Sequence, residues 1–153
     1  MRRTALTTAA VTFALALLAA PAARAGKEYE VKTDAEVKAA PGAPAKTSVT
    51  LVAQDGWHMN EEAPITLTLT PDAGVSVAKP KLGREDLVAK SKESAKFDVA
   101  FTAAEAGKKT VAGEARFVVC KETACKPVKE KLAWTIDVAA AAPAAAAKGG
   151  KKK

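Results

Sequence analysis

The sequence predicts an all-β protein, an immunoglobulin-like antiparallel β-sandwich, and two observations support this prediction. Between residues 28 and 138 the apolar residues recur at every second position, which is the period of a strand with one buried face. Turn-forming stretches such as Pro71–Gly74 and Ala106–Lys108 separate these runs. Six to eight strands in about 110 residues are typical of two antiparallel sheets packed face to face. The Cys–Trp–Cys spacing of antibody domains is missing, so the expected likeness is one of architecture.

Each alternating run places its apolar side chains on one face of a strand and its polar side chains on the other. The runs, with the residues expected to be buried, are 47–54 (Val49, Leu51, Ala53), 64–71 (Ile65, Leu67, Leu69), 75–77 (Val75, Val77), 95–101 (Phe97, Val99, Phe101), 111–119 (Val111, Gly113, Ala115, Phe117, Val119) and 131–138 (Leu132, Trp134, Ile136, Val138). The stretch Arg84–Ser94 lacks this period and is expected to be either a short helix or a loop.

Residues 1–25 have the pattern of a cleavable signal peptide. Two arginines precede the uncharged run Ala5–Ala20, and Ala23–Ala25 is a small-x-small cleavage site. The apolar run is too short for a confident membrane span. We therefore expect a mature chain that begins at Gly26 and is exported to a bacterial periplasm, where disulfides persist.

The excess positive charge lies at the two ends of the chain. Of its 24 basic residues three belong to the predicted signal, which leaves 21 against 17 acidic residues, and four lysines of residues 148–153 account for that excess. We therefore expect one near-neutral sandwich domain at 26–139 that binds no nucleic acid. Residues 140–153 form an Ala-, Pro- and Lys-rich tail expected to be disordered, which is either a spacer or a weak contact with anionic envelope polymers.

Both cysteines of the chain lie in Val118–Pro127, V-V-C-K-E-T-A-C-K-P. Cys120 ends a predicted strand and, by alternation, points away from the core. Lys121–Ala124 forms the turn, and Cys125 leads into the last strand. The pair therefore flanks a hairpin at one end of the sandwich, where a disulfide is sterically plausible.

Three interpretations of the pair remain open. A Cu(I)-type soft-metal site needs more ligands, and His58 and Met59 are the remaining candidates. A structural disulfide across about six residues stabilises by roughly 2 kcal/mol in the chain-entropy model. An outward-facing pair is also accessible to the thiolate of a partner protein. Lys121 and Lys126 favour such a thiolate electrostatically, whereas Glu122 opposes it.

A family resemblance favours exchange. The segment V-C-K-E-T-A-C-K-P resembles the cysteine hairpin of the N-terminal periplasmic domain of the thiol:disulfide interchange protein DsbD family. Asp55–Pro64, D-G-W-H-M-N-E-E-A-P, resembles the Asp-Gly-aromatic segment of that family, and T-L-T-P-D-A-G-V resembles its next strand and turn. The cysteines here are one residue closer together, and no stretch was matched to the loop that shields the cysteines in that family.

The resemblance implies that Cys120 and Cys125 are the exchanging pair. It further implies an electron relay between a membrane-embedded reductant and periplasmic thiol proteins. Apart from the resemblance, we expect a monomer without a cofactor or metal. The alternative is a non-enzymatic envelope binding or assembly module with a structural disulfide. His58 is expected to be structural or exposed, and its alternative role is that of a proton acceptor near the cysteines.

Overall fold

The computed structural model describes residues 24–26 and 28–140. The described chain is built from strands and one short 3-10 turn, Arg84–Asp86. The strands are β1 Arg24–Gly26, β2 Tyr29–Thr33, β3 Glu36–Ala39, β4 Pro44–Ala53, β5 His58–Met59, β6 Thr66–Pro71, β7 Val75–Val77, β8 Lys81–Leu82, β9 Leu87–Lys90, β10 Ser94–Ala103, β11 Gly107–Lys121 and β12 Ala124–Val138.

The strands form two sheets that pack face to face. The first sheet has the order β1-β2-β4-β10-β7, and β9 also pairs with β10. The second has the order β3-β12-β11-β6-β8, and β5 also pairs with β11. Neighbouring strands are antiparallel, apart from β3 and β12, which are parallel. The predicted immunoglobulin-like β-sandwich is confirmed.

The core lies between the sheets and consists of the residues that the alternation selects. The strands β4 and β10 bury every second side chain. The strands β6 and β12 do the same within the alternating runs 64–71 and 131–138. Phe97 and Phe117 are among the largest fully buried side chains, and Trp134 is 2% exposed. Of the residues expected in the core, Val77 and Gly113 are only partly buried. Burial of one face of each sheet is the main source of favourable folding free energy in such a domain.

The structure differs from the sequence predictions in the short elements. No helix forms at Arg84–Ser94, where a 3-10 turn is followed by the strand β9. Six strands were not predicted, namely β1, β2, β3, β5, β8 and β9. They have two to five residues each, too few for a clear alternating pattern. Strands β3 and β5 pair with partners that are distant in the chain, whereas β1 and β9 pair with the next strand.

The predicted signal peptide lies outside the described residues except for Arg24 and Ala25, which belong to β1, and the predicted tail lies outside them from residue 141 onward. Strand β1 spans the predicted cleavage point and pairs with β2. Within residues 24–26 and 28–140 no helix is long and apolar enough to cross a membrane.

The hairpin of β11 and β12 positions both cysteines. Its strands have 15 residues each, and the ladder runs without interruption from the pair Gly107–Val138 to the pair Lys121–Ala124. The turn consists of Glu122 and Thr123, so it is tighter than the predicted turn Lys121–Ala124. This long hairpin carries the cysteines to one end of the sandwich.

Candidate functional site

Cys120 and Cys125 lie directly opposite each other in the β11–β12 ladder and form a disulfide. The Cα atoms are 4.0 Å apart, as expected for close antiparallel neighbours whose side chains emerge on the same face. The two sulfur atoms are 1.99 Å apart. The disulfide lies on the outer face of the second sheet, because Val119 and Phe117 alternate with Cys120 and point into the core.

The two cysteines differ in exposure. Sequence reasoning predicted that both would be accessible, and for Cys120 this prediction was wrong, since it is 5% exposed. Cys125 is exposed as expected. The difference arises from strand β5, because His58 and Met59 pair with Cys120 and Val119 and bring a further stretch of chain alongside β11. The disulfide therefore joins a buried cysteine to an exposed one.

Residues Asp55–Asn60 form this cover, and we call them the cover segment. Asp55 has φ of 54° and Gly56 has φ of 78°, a left-handed conformation that glycine adopts without steric cost. The backbone N–H of Trp57 donates to the carbonyl of Gln54 at 2.9 Å and closes the turn. Trp57 is half-buried against the core and Met59 is buried within it. These two apolar side chains fix the cover segment to the sandwich.

Asn60 connects the cover segment to the disulfide. Its side-chain Nδ2 donates a hydrogen bond to Sγ of Cys120 at 3.3 Å. Its Oδ1 accepts the backbone N–H groups of Glu62 and Ala63, both at 2.9 Å, and its own N–H donates to the carbonyl of Val118 at 2.9 Å. Its contact with Cys120, 60 positions away, was missed.

Two lysines beside the cysteines are held by other groups. Nζ of Lys121 donates to the backbone carbonyl of Asp55 at 3.2 Å, which joins the hairpin to the cover segment. Nζ of Lys126 forms an ion pair with Glu28 at 2.8 Å, across the two sheets. The hydrogen bonds of both ammonium groups are therefore directed away from the disulfide.

Tyr29 forms a second link between the sheets at this end of the sandwich. Its hydroxyl donates to Oε2 of Glu130 at 2.8 Å, and its ring meets Phe117 edge to face with centroids 5.3 Å apart. Burial, together with the carboxylate of Glu130, raises the pKa of Tyr29 from 10.0 to about 12. Tyr29 was not singled out from the sequence, because its partner Glu130 is 101 positions away.

Of the four proposed metal ligands, Met59 lies apart from the other three. Met59 points into the core, on the opposite face of β5 from His58 and the disulfide. His58 is exposed and lies opposite Cys120 in the ladder. In the described part of the chain no three His, Cys, Asp or Glu side chains are grouped so that they could hold a metal ion.

An open groove lies along the cover segment and is lined by residues 53–62, Lys92 and Glu93; its volume is about 610 Å³. The backbone carbonyl of Lys92 accepts the N–H of Met59 at 2.6 Å. The segment G-W-H-M-N contains a signal that could have revealed this arrangement. Trp57 and Met59 alternate with polar residues, and that is the period of a short strand.

Comparisons with known proteins add information on the fold. No protein-family model matches the chain, and no curated protein matches its sequence. Solved structures with a similar fold include AggA, the major subunit of aggregative adherence fimbriae type I from Escherichia coli, at 9% identity and a TM-score of 0.39, covering 71% of this chain and 93% of that one. The human PapD-like domain 7 of CEP192 is similar at 9% identity and a TM-score of 0.43, covering 89% and 100%.

The GAE domain of GGA2p from Saccharomyces cerevisiae is similar at 9% identity and a TM-score of 0.44, covering 73% of this chain and 92% of that one. Identities this low concern the fold alone. The resemblance to the DsbD family stays a prediction.

Proposed function

We propose that the chain is a periplasmic thiol–disulfide exchange module that uses the Cys120–Cys125 disulfide. The observation that carries the proposal is the asymmetry of this disulfide. Cys125 is an exposed residue, whereas Cys120 is 5% exposed and its sulfur accepts a hydrogen bond from Asn60. Thiol–disulfide exchange needs one sulfur that a partner thiolate can approach and another that can leave as a thiolate.

The different exposure of the two cysteines supports one order of exchange. A thiolate of the electron donor attacks Sγ of Cys125, a new disulfide forms between donor and Cys125, and Cys120 leaves with the electron pair as a thiolate. A second thiolate of the donor then attacks the donor sulfur of this mixed disulfide and releases Cys125. The donor is now oxidised by two electrons, and the module holds two reduced cysteines.

The second half of the cycle runs in the opposite direction. The thiolate of Cys125 attacks the disulfide of an acceptor protein and forms a second mixed disulfide. Cys120 then attacks Cys125, which restores the intramolecular disulfide and releases the acceptor in its reduced form. The donor class is a membrane-embedded reductant and the acceptor class is a periplasmic thiol protein, as the family resemblance implies.

The reduction potential of the pair is the direct test. The purified protein is equilibrated in a series of glutathione or dithiothreitol buffers, and its thiols are trapped and counted. We expect about −230 mV or higher, the range of working exchange proteins. A value below about −300 mV marks a structural disulfide and rejects the proposal. The chain would then be interpreted as an envelope binding or assembly module.

Single substitutions test the order of attack. Cys120→Ser leaves the exposed thiol alone, so we expect mixed disulfides with a small disulfide such as oxidised glutathione to form readily at Cys125. Cys125→Ser leaves the covered thiol. We expect its adducts to form at about one tenth of that rate or below, since access limits the reaction. Equal rates for the two variants would reject Cys125 as the sulfur that meets the partner. The double variant Cys120→Ser/Cys125→Ser is the background control.

A further inference from the structure

We infer that the side-chain amide of Asn60 is a catalytic group, which stabilises the thiolate of Cys120 when that sulfur leaves. The inference rests on the proposed exchange function and adds a residue to it. Nδ2 of Asn60 is 3.3 Å from Sγ of Cys120, and Sγ is one of the two sulfurs whose bond breaks. A hydrogen bond to the charged form of an acid lowers its pKa.

The orientation of the amide follows from its other contacts. Oδ1 accepts the N–H groups of Glu62 and Ala63, so the oxygen is occupied on the side away from the sulfur. Nδ2, which is a donor, is therefore the atom that faces Cys120. The backbone N–H of Asn60 donates to the carbonyl of Val118, and this hydrogen bond fixes the position of Asn60 beside β11. The donor is held in place before any charge develops on the sulfur, which is the arrangement that electrostatic catalysis requires.

Burial makes this donor important. Cys120 is 5% exposed, so little water can solvate a thiolate that forms there. Desolvation alone would raise the pKa of the Cys120 thiol and make it a poor leaving group. The amide of Asn60 takes the place of part of that water. Exchange at Cys125 thus becomes easier without exposing the second sulfur to attack.

The surrounding charges do not supply an equivalent hydrogen bond. Lys121 directs its ammonium to the carbonyl of Asp55, and Lys126 directs its own to Glu28. The elements next to Cys120 carry titratable side chains of both signs. They include Asp55 and His58 of the cover segment, Glu61 and Glu62 after it, Lys92 and Glu93 along the groove, and Lys121, Glu122 and Lys126 of the hairpin. Their charges are of both signs, whereas the amide of Asn60 acts on the sulfur of Cys120 through a direct hydrogen bond.

Two substitutions separate a donor role from a structural one. Asn60→Asp keeps an oxygen for the N–H groups of Glu62 and Ala63 and replaces the donor by a second oxygen. It is paired with Glu62→Gln so that the net charge of the loop stays unchanged. Asn60→Ser also keeps an acceptor for the turn, but it is too short to reach the sulfur and adds no charge.

The first measurement is the thiolate absorbance at 240 nm against pH, in a Cys125→Ser background so that Cys120 titrates alone. We expect either substitution at Asn60 to raise the pKa of Cys120, by about one unit or more for Asn60→Asp, which is tenfold less thiolate at a given pH. The second is the rate at which dithiothreitol reduces the disulfide of each variant that keeps both cysteines. We expect this rate to fall several-fold, because a leaving thiol of higher pKa departs more slowly.

A thiol pKa and a reduction rate that stay at the parent values in both Asn60 variants would overturn the inference and leave Asn60 a turn residue. A pKa that rises without any change in rate would also overturn it. Circular dichroism monitors the fold, and Asn60→Ser keeps the test decisive if Asn60→Asp does not fold. The proposed function fails separately, through a reduction potential of the parent pair in the structural range.

Discussion

Tyr29 offers a test of how the two sheets are joined at the end of the sandwich that carries the disulfide. Its hydroxyl donates to Glu130 of the second sheet, and its ring packs on Phe117. The pKa of Tyr29 is raised to about 12, chiefly by burial and secondly by the hydrogen bond to Glu130. An ionised tyrosine would lose that hydrogen bond and face a carboxylate, so the neutral form is held about two pH units beyond the ordinary pKa.

The change to make is Glu130→Gln, which removes the carboxylate and leaves the packing. We expect the pKa of Tyr29 to fall toward 10 but to stay above it, because burial persists. The protein has one tyrosine, so the absorbance at 295 nm against pH reports Tyr29 alone. Glu114→Gln is the matched control, since that carboxylate pairs with Arg116 elsewhere on the second sheet, and it should leave the midpoint near 12.

The same contact predicts how stability depends on pH. A group whose pKa is higher in the folded than in the unfolded state stabilises the fold fully below the unfolded pKa. This contribution of Tyr29 is therefore present below pH 10 and is lost as the pH rises from 10 to about 12. The free energy of unfolding should fall more steeply over this window in the parent than in Glu130→Gln. A folded protein whose tyrosine titrates near 10 would refute the reasoning.

Three further predictions concern the core and the disulfide. Phe97→Ala should lower the free energy of unfolding, measured in urea, by about 3–5 kcal/mol, because Phe97 is fully buried. The control Val88→Ala, at a site that is 56% exposed, should change it by less than about 0.5 kcal/mol. Similar losses in the two variants would contradict the packing. Trp134→Phe should change the free energy of unfolding by less than about 2 kcal/mol, because Nε1 of Trp134 is buried without a hydrogen-bond partner in the described residues. A loss as large as that of Phe97→Ala would contradict this prediction. Reduction of the Cys120–Cys125 disulfide should lower the free energy of unfolding by about 2 kcal/mol, measured in paired urea titrations with and without dithiothreitol. An unchanged free energy would rule out a stabilising role for the disulfide.

The sandwich and its core were predictable because their signal is local. Apolar residues at every second position define one face of a strand, whatever that strand pairs with. Phe97, Phe117 and Trp134 were therefore assigned to the core from the residues beside them in the chain. The short strands β5, β8 and β9 carry too few residues for such a pattern. They exist because a longer neighbour offers them hydrogen bonds, and the sequence does not state which neighbour that is.

The sequence by itself determined that Cys120 and Cys125 flank a hairpin, because a short polar turn separates two alternating runs. It also determined that Cys120 emerges on the outer face, because alternation along its strand decides the face. Only the tertiary structure decided that the two cysteines are unequally exposed. Cys120 is covered because β5 pairs with the end of β11, and it meets Asn60 because that pairing brings together residues 60 positions apart. Burial and long-range hydrogen bonds depend on which strands become neighbours, and that is a property of the folded chain as a whole.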